Sequence, residues 1–443
     1  SVLALTKTGT AQQTLSGSVN NAFTGGVTVL AGILRLNKTA GQNSIPAGSL
    51  IIGDGTASAV LQWAAGNQIP DSVVPMLAGT GATAGIMRMF GRVETLGGLS
   101  SNPIIGGGIV ENELGSAGTA TLTLSLAANT SQTFTGIIRD GDSAGIDGSL
   151  ILVKTGAGIQ VLAGDNTFSG GTTISAGTLV IGNGGATGSL GSGSIVNNGT
   201  LVISHTGALG FGQAITGTGS LVLGGSQTLT LSGNANTYSG DTIVDQGTLL
   251  VANTSGSATG TGAVLVASPA TMAGTGIIGG AVTINGGGTL AVGNISGDST
   301  GKTLQINGLF GSLGALSFDL WADNNGINPQ VNADVLRFGG PDTGMMSIGG
   351  TLNVNGNSIN NWQAGDQWQL FDWGSIAPAD RNVAFTALNL PALPGGLTFD
   401  VSALGSSGML SIISVAPEPA RAVLLLLGVA AGLMRRRRGD RGV

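Results

Sequence analysis

Short alternating segments run along most of the chain, and a glycine closes nearly every one. Thr178-Leu179-Val180-Ile181, Thr200-Leu201-Val202-Ile203 and Thr248-Leu249-Leu250-Val251 are typical, with every second side chain aliphatic. That alternation predicts short strands with one apolar face. The glycines permit φ > 0 and turn the chain between strands. Long helices are disfavoured, because each glycine in a helix interior costs about 1 kcal/mol and few windows lack one.

Three stretches, residues 21–32, 166–179 and 236–249, align with one another. Each opens on an asparagine (Asn21, Asn166, Asn236) and carries an aromatic residue (Phe23, Phe168, Tyr238) two positions before a glycine. A second glycine follows seven residues later, at Gly32, Gly177 and Gly247. A Leu-x-Gly lies upstream of each: Leu15-Ser16-Gly17, Leu162-Ala163-Gly164 and Leu231-Ser232-Gly233. Gly199-Thr200-Leu201, Gly288-Thr289-Leu290 and Gly350-Thr351-Leu352 are looser echoes.

A strand–turn–strand unit of this size cannot bury its apolar face alone and must stack on its neighbours. The fold expected is all-β, a right-handed parallel β-solenoid (β-helix) with aliphatic side chains inside and Thr, Ser and Asn outside. At about 4.8 Å per rung and roughly twenty residues per rung, residues 1–300 would form a rod on the order of 70 Å long. An antiparallel β-sandwich is the competing arrangement of the same strands.

The pattern changes near residue 300. Trp321, Trp362, Trp368 and Trp373 crowd into a short stretch, and prolines become commoner. Segments 367–373, 396–401 and 408–413 read as strands. Residues 301–415 are therefore expected to form a C-terminal β domain or a cap, since a bare solenoid end is a sticky sheet edge.

Composition agrees with an all-β rod. The chain has 81 glycines in 443 residues and 9% charged residues. Abundant β-branched residues and so little charge oppose intrinsic disorder, and the absence of a Gly-X-Y period excludes collagen. Of sixteen Lys and Arg, six lie from Pro417 onward, with only two of twenty-two Asp and Glu. Ten basic residues thus face twenty acidic ones in the rest. Such an acidic surface makes nucleic acid an unsuitable partner. There is no cysteine, so disulfides and thiolate metal sites are excluded.

Candidate chemistry is sparse, and no cofactor or enzymatic activity is expected. His205 is the only histidine, and it ends an alternating strand with no nucleophile elbow nearby. It reads as an exposed strand-end residue. Asp140, Asp142 and Asp147 are spaced somewhat like a calcium loop, but the bidentate Glu that should close one is missing, so turn residues are the expectation. The tryptophans suit the core of a small β domain better than a platform for sugar rings.

The repeats resemble the autotransporter-associated β-strand repeat of bacterial surface proteins. Gly136-Ile137-Ile138-Arg139-Asp140-Gly141, Leu152-Val153-Lys154-Thr155-Gly156-Ala157-Gly158 and Lys7-Thr8-Gly9 carry the resemblance. It implies an exported, elongated surface or matrix protein whose repeats are scaffold. Adhesion to extracellular polysaccharide or self-association are the partners it leaves open. Polysaccharide binding or cleavage on a β-helix face is the alternative function.

The C-terminal residues 416–443 form a different unit. Pro417-Glu418-Pro419 precedes an apolar run over 422–434, and Arg435-Arg436-Arg437-Arg438 follows. Two prolines hold the first element extended and unable to join a strand or helix. As a short hydrophobic helix the thirteen-residue run reaches roughly 20 Å, against the roughly 30 Å of a hydrocarbon core, and Arg421 can snorkel to close part of the gap. Arginines resist translocation, so this end is expected on the cytoplasmic side. The unit resembles the PEP-CTERM sorting signal. That resemblance implies processing at Pro417, Glu418 and Pro419 by an exosortase-like membrane protease-transpeptidase, and transient attachment to the inner membrane. The chain opens on Ser1 within repeat-like sequence, which suggests a processed form with its export signal upstream.

Overall fold

The computed structural model describes residues 2–113, 118–141, 148–293, 300–321, 333–340, 344–357, 359 and 362–415. Strands stack in parallel, rung upon rung, around one hydrophobic core. A five-stranded sheet of Leu5–Lys7, Val27–Val29, Leu50–Ile52, Pro75–Leu77 and Ser100–Ser101 begins one face. The strand Ser131–Phe134 packs on its last member and opens an eleven-stranded sheet that runs to Arg381–Val383. Sixteen levels at about 4.8 Å give a rod on the order of 70 Å. Two further faces are built the same way. The expected parallel β-solenoid is therefore the fold, and the sandwich is not.

Register explains why alternation suffices. Leu179 pairs with Leu201 and Leu201 with Leu221, while Ile181, Ile203 and Leu223 form a second column. All six are fully buried, and burying each stabilises the rod by about 1.5–3 kcal/mol. Rungs are less uniform than roughly twenty residues. Val264 pairs with Val282, eighteen residues on, whereas Gly311 pairs with Ser347, thirty-six residues on.

Beyond residue 300 the parallel ladders run on through Arg381–Val383 and Ala387–Asn389. The wider rungs there are filled by aromatic rings. Phe310 contacts Phe338, Phe338 stacks on Trp373 at 5.1 Å, and Phe371 meets Phe318 edge-on. A small antiparallel sheet of Gln367–Gln369, Met409–Ser414 and Leu397–Asp400 packs against this end.

Helical structure among the described residues is limited to two 3₁₀ turns, Gly81–Thr83 and Pro378–Asp380, and no helix there is long and apolar enough to cross a membrane. The sorting-tail residues Pro417, Glu418, Pro419 and Arg435, Arg436, Arg437 and Arg438 lie outside the described residues, as does the predicted terminal helix.

Candidate functional site

The repeat signature builds a corner. Phe168 and Tyr238 are wholly buried, and Phe23 packs against the core from a partly buried position. Of the signature asparagines, Asn166 and Asn236 are buried too, which corrects the expectation that Asn lines the outside, while Asn21 is half-buried and donates to the Ser44 carbonyl at 2.7 Å. Asn166 Oδ1 accepts from the Ile138 amide at 2.8 Å, while its Nδ2 donates to the Gly164 and Ser189 carbonyls. Asn236 repeats the scheme with Ile215, Gly233 and Ala258. One side chain thus fastens three rungs at a bend, where backbone groups lack ladder partners.

The Lys-Thr-Gly element has an equally specific task. Lys154 Nζ donates to the carbonyls of Thr155, Gly156 and Ala176 at 2.7, 2.8 and 3.2 Å. Lys7 Nζ repeats this with Thr8, Gly9 and Ala31. Burial pulls the Lys154 ammonium down to about 8, which leaves it mostly protonated at neutral pH. Hydrogen bonds to a charged donor contribute more than neutral ones. Replacing Lys154 by Met is expected to destabilise its rung by roughly 2 kcal/mol, seen as faster amide exchange in 150–181 with distant rungs unchanged. An unaltered exchange pattern would mean that the carbonyl cage contributes nothing.

Outward faces carry the remaining chemistry. Arg35, Gln62, Arg88, Glu111 and Arg139 stand in register on five successive strands. Glu111 is sealed between Arg88 and Arg139, at 2.7 and 2.6 Å, and Glu113 pairs with Arg88 as well. A second outward column, Ser317–Asn353–Asn389, runs up the last rungs. It ends beside an open groove of about 570 Å³ lined by Val354, Asn355, Leu388, Asn389, Leu390 and Pro391. Nothing in the sequence reading singled out this groove. Its only signal was the three-residue alternation Ala387-Leu388-Asn389.

The other candidates are structural. Asp140 is spent on backbone: its carboxylate accepts from the amides of Leu150 and Ser169 at 2.8 and 3.1 Å. Asp142 and Asp147 lie outside the described residues; among the described residues no group of three or more His, Cys, Asp and Glu could hold a metal ion. His205 is buried rather than exposed, 5% accessible, because it turns inward to take the Gly207 amide on Nδ1 at 2.9 Å. Trp321, Trp368 and Trp373 are core residues, and Trp373 donates to the Leu404 carbonyl at 3.0 Å. Trp362 is half-buried, edge-on to Trp368 and Phe399. The structure therefore gathers no tryptophan platform.

Three stretches, residues 5–36, 152–181 and 221–251, match the passenger-associated-transport-repeat family model. They coincide with the corners just described, although Leu223 stands where Lys7 and Lys154 stand in the other two. No curated protein matches the chain. A similar solved structure is the Haemophilus influenzae Hap adhesin, 13% identical over 93% of this chain and 59% of that one, with a TM-score of 0.30. The chain spans 59% of the adhesin's length.

Proposed function

We propose that this chain is an exported, non-enzymatic structural or adhesive protein of a bacterial surface or extracellular matrix. The observation that carries the reading is the coincidence of three passenger-type repeats with three stacked corners. Asn166, Asn236, Lys7 and Lys154 are buried and staple backbone, so the repeats serve to build a rod. A rod presents long polar faces for contact with polysaccharide or other copies, and needs no cofactor.

Sorting falls to the tail. An exosortase-like enzyme reads Pro417-Glu418-Pro419, the apolar run holds the chain transiently in the inner membrane, and Arg435 to Arg438 keep the last residues cytoplasmic. Intact mass of protein from fractionated native cells tests this. A C-terminus near Pro417 in the surface or medium fraction is expected, and Glu418→Ala should leave the full chain in the inner membrane. Full-length protein retained to Val443 in the wild type, or normal release of the variant, would overturn the sorting scheme.

A further inference from the structure

Among the described residues, the last rung of the rod has neighbours over two of its faces and none over the third. The amides of Leu370 and Phe371 both donate to the Gly408 carbonyl, which covers the strand Phe371–Asp372. Arg381 donates to the Ile376 and Ser406 carbonyls, and Gly405 lies against Val383 of the strand Arg381–Val383. Ala387–Asn389 has no such cover. All three residues are exposed, and among the described residues no backbone group pairs with its outer edge.

Two side-chain columns stop abruptly at that edge. Inside, Leu249, Met272, Leu290, Leu316 and Leu352 stack in register and are fully buried, yet the next member, Leu388, is 44% exposed. Outside, Asn389 Nδ2 donates to Asn353 Oδ1 at 2.8 Å, so the amide row also ends with one face free. The groove runs along this line, with Leu388, Leu390 and Pro391 as apolar wall.

We propose that Ala387–Asn389 is a docking edge for an extended segment of a partner polypeptide, which adds one further parallel strand. An open row of N–H and C=O groups at strand spacing is a template for such addition. The two columns state the required chemistry: an aliphatic residue over Leu388, Asn, Ser or Thr over Asn389, and no charge. A sugar chain matches only the Asn row and leaves the aliphatic column uncovered.

The probe is a fluorescent, end-blocked peptide Gly-Gly-Thr-Leu-Asn-Val-Asn-Gly, the sequence of residues 349–356 that pairs with Ala387–Asn389 from the other side. Anisotropy on titration with the full chain should saturate. Leu388→Lys, which an exposed edge tolerates, should weaken binding about tenfold, whereas Leu388→Ile should retain it. Unchanged melting temperatures establish that both variants fold. No saturable binding, equal binding to Leu388→Lys, or calorimetric binding of cellohexaose that Asn389→Ala abolishes while the peptide stays free would each overturn the proposal.

Discussion

Gly177→Ala should cost about 3–4 kcal/mol of local stability. Gly177 sits at φ +70°, where an L-residue is strained by about 1–2 kcal/mol. A Cβ there would also stand 2.4 Å from the Gly156 carbonyl oxygen, 2.6 Å from that of Gly158 and 2.8 Å from Lys154 Nζ. Two of those atoms are backbone of the preceding rung and cannot give way without displacing the corner, which adds roughly 1–3 kcal/mol. Gly184 is the control, at φ +84° with nothing within 4 Å of its Cβ position. Alanine there should cost only about 1 kcal/mol. Amide exchange should show the rungs on either side of Gly177 opening together, while the Gly184 variant stays near wild type. Equal effects at the two sites would mean that backbone strain alone, and not the approach of rungs, demands the repeat glycine.

That glycine shows what was legible beforehand and what was not. Alternation plus a glycine every rung pointed to parallel stacking because the unit also repeats, and a repeated short strand with one apolar face buries it most simply against its own copies; alternation alone left the sandwich open. Gly32 and Gly247 repeat the geometry at φ +67° and +68°, each with a preceding-rung carbonyl within 2.5 Å of its Cβ position. A turn needs only the dihedral, so the close approach could not be read from one chain position. The polar signature misled for a related reason. Asn166, Asn236 and His205 read as surface residues by type, yet each sits where a bend leaves amides or carbonyls unpaired, and the cheapest partner is a side chain turned inward. The resemblance of residues 416–443 to a sorting tail rests on the order of its elements and not on packing, and those residues lie outside the described ones. The terminal edge was least legible, because exposure of Leu388 depends on which strand happens to come last.

Glu94 had no sequence signal at all, and it sets the pH response expected of the rod. Its carboxyl is 2% accessible and takes Trp63 Nε1 and the Gln68 amide on one oxygen, at 2.5 and 2.7 Å. The other oxygen, Oε1, is buried without a partner. Desolvation outweighs these donors and the smaller effect of the Ile69 and Thr95 amides, and pushes the carboxyl up to about 7. The folded state therefore holds this proton more tightly than the unfolded chain, whose glutamate titrates near 4.5. Stability from this site is complete below about pH 4.5, falls as pH rises, and is lost above about 7, a difference on the order of 3 kcal/mol. Glu94→Gln keeps an oxygen for Trp63 and Gln68 and removes the charge. The variant should match wild type near pH 5 and melt several degrees higher at pH 8, with the gain confined to the rungs around residues 63–96. The same melting difference at both pH values would show that Glu94 stays ionised in the fold and that its two donors suffice to hold it so.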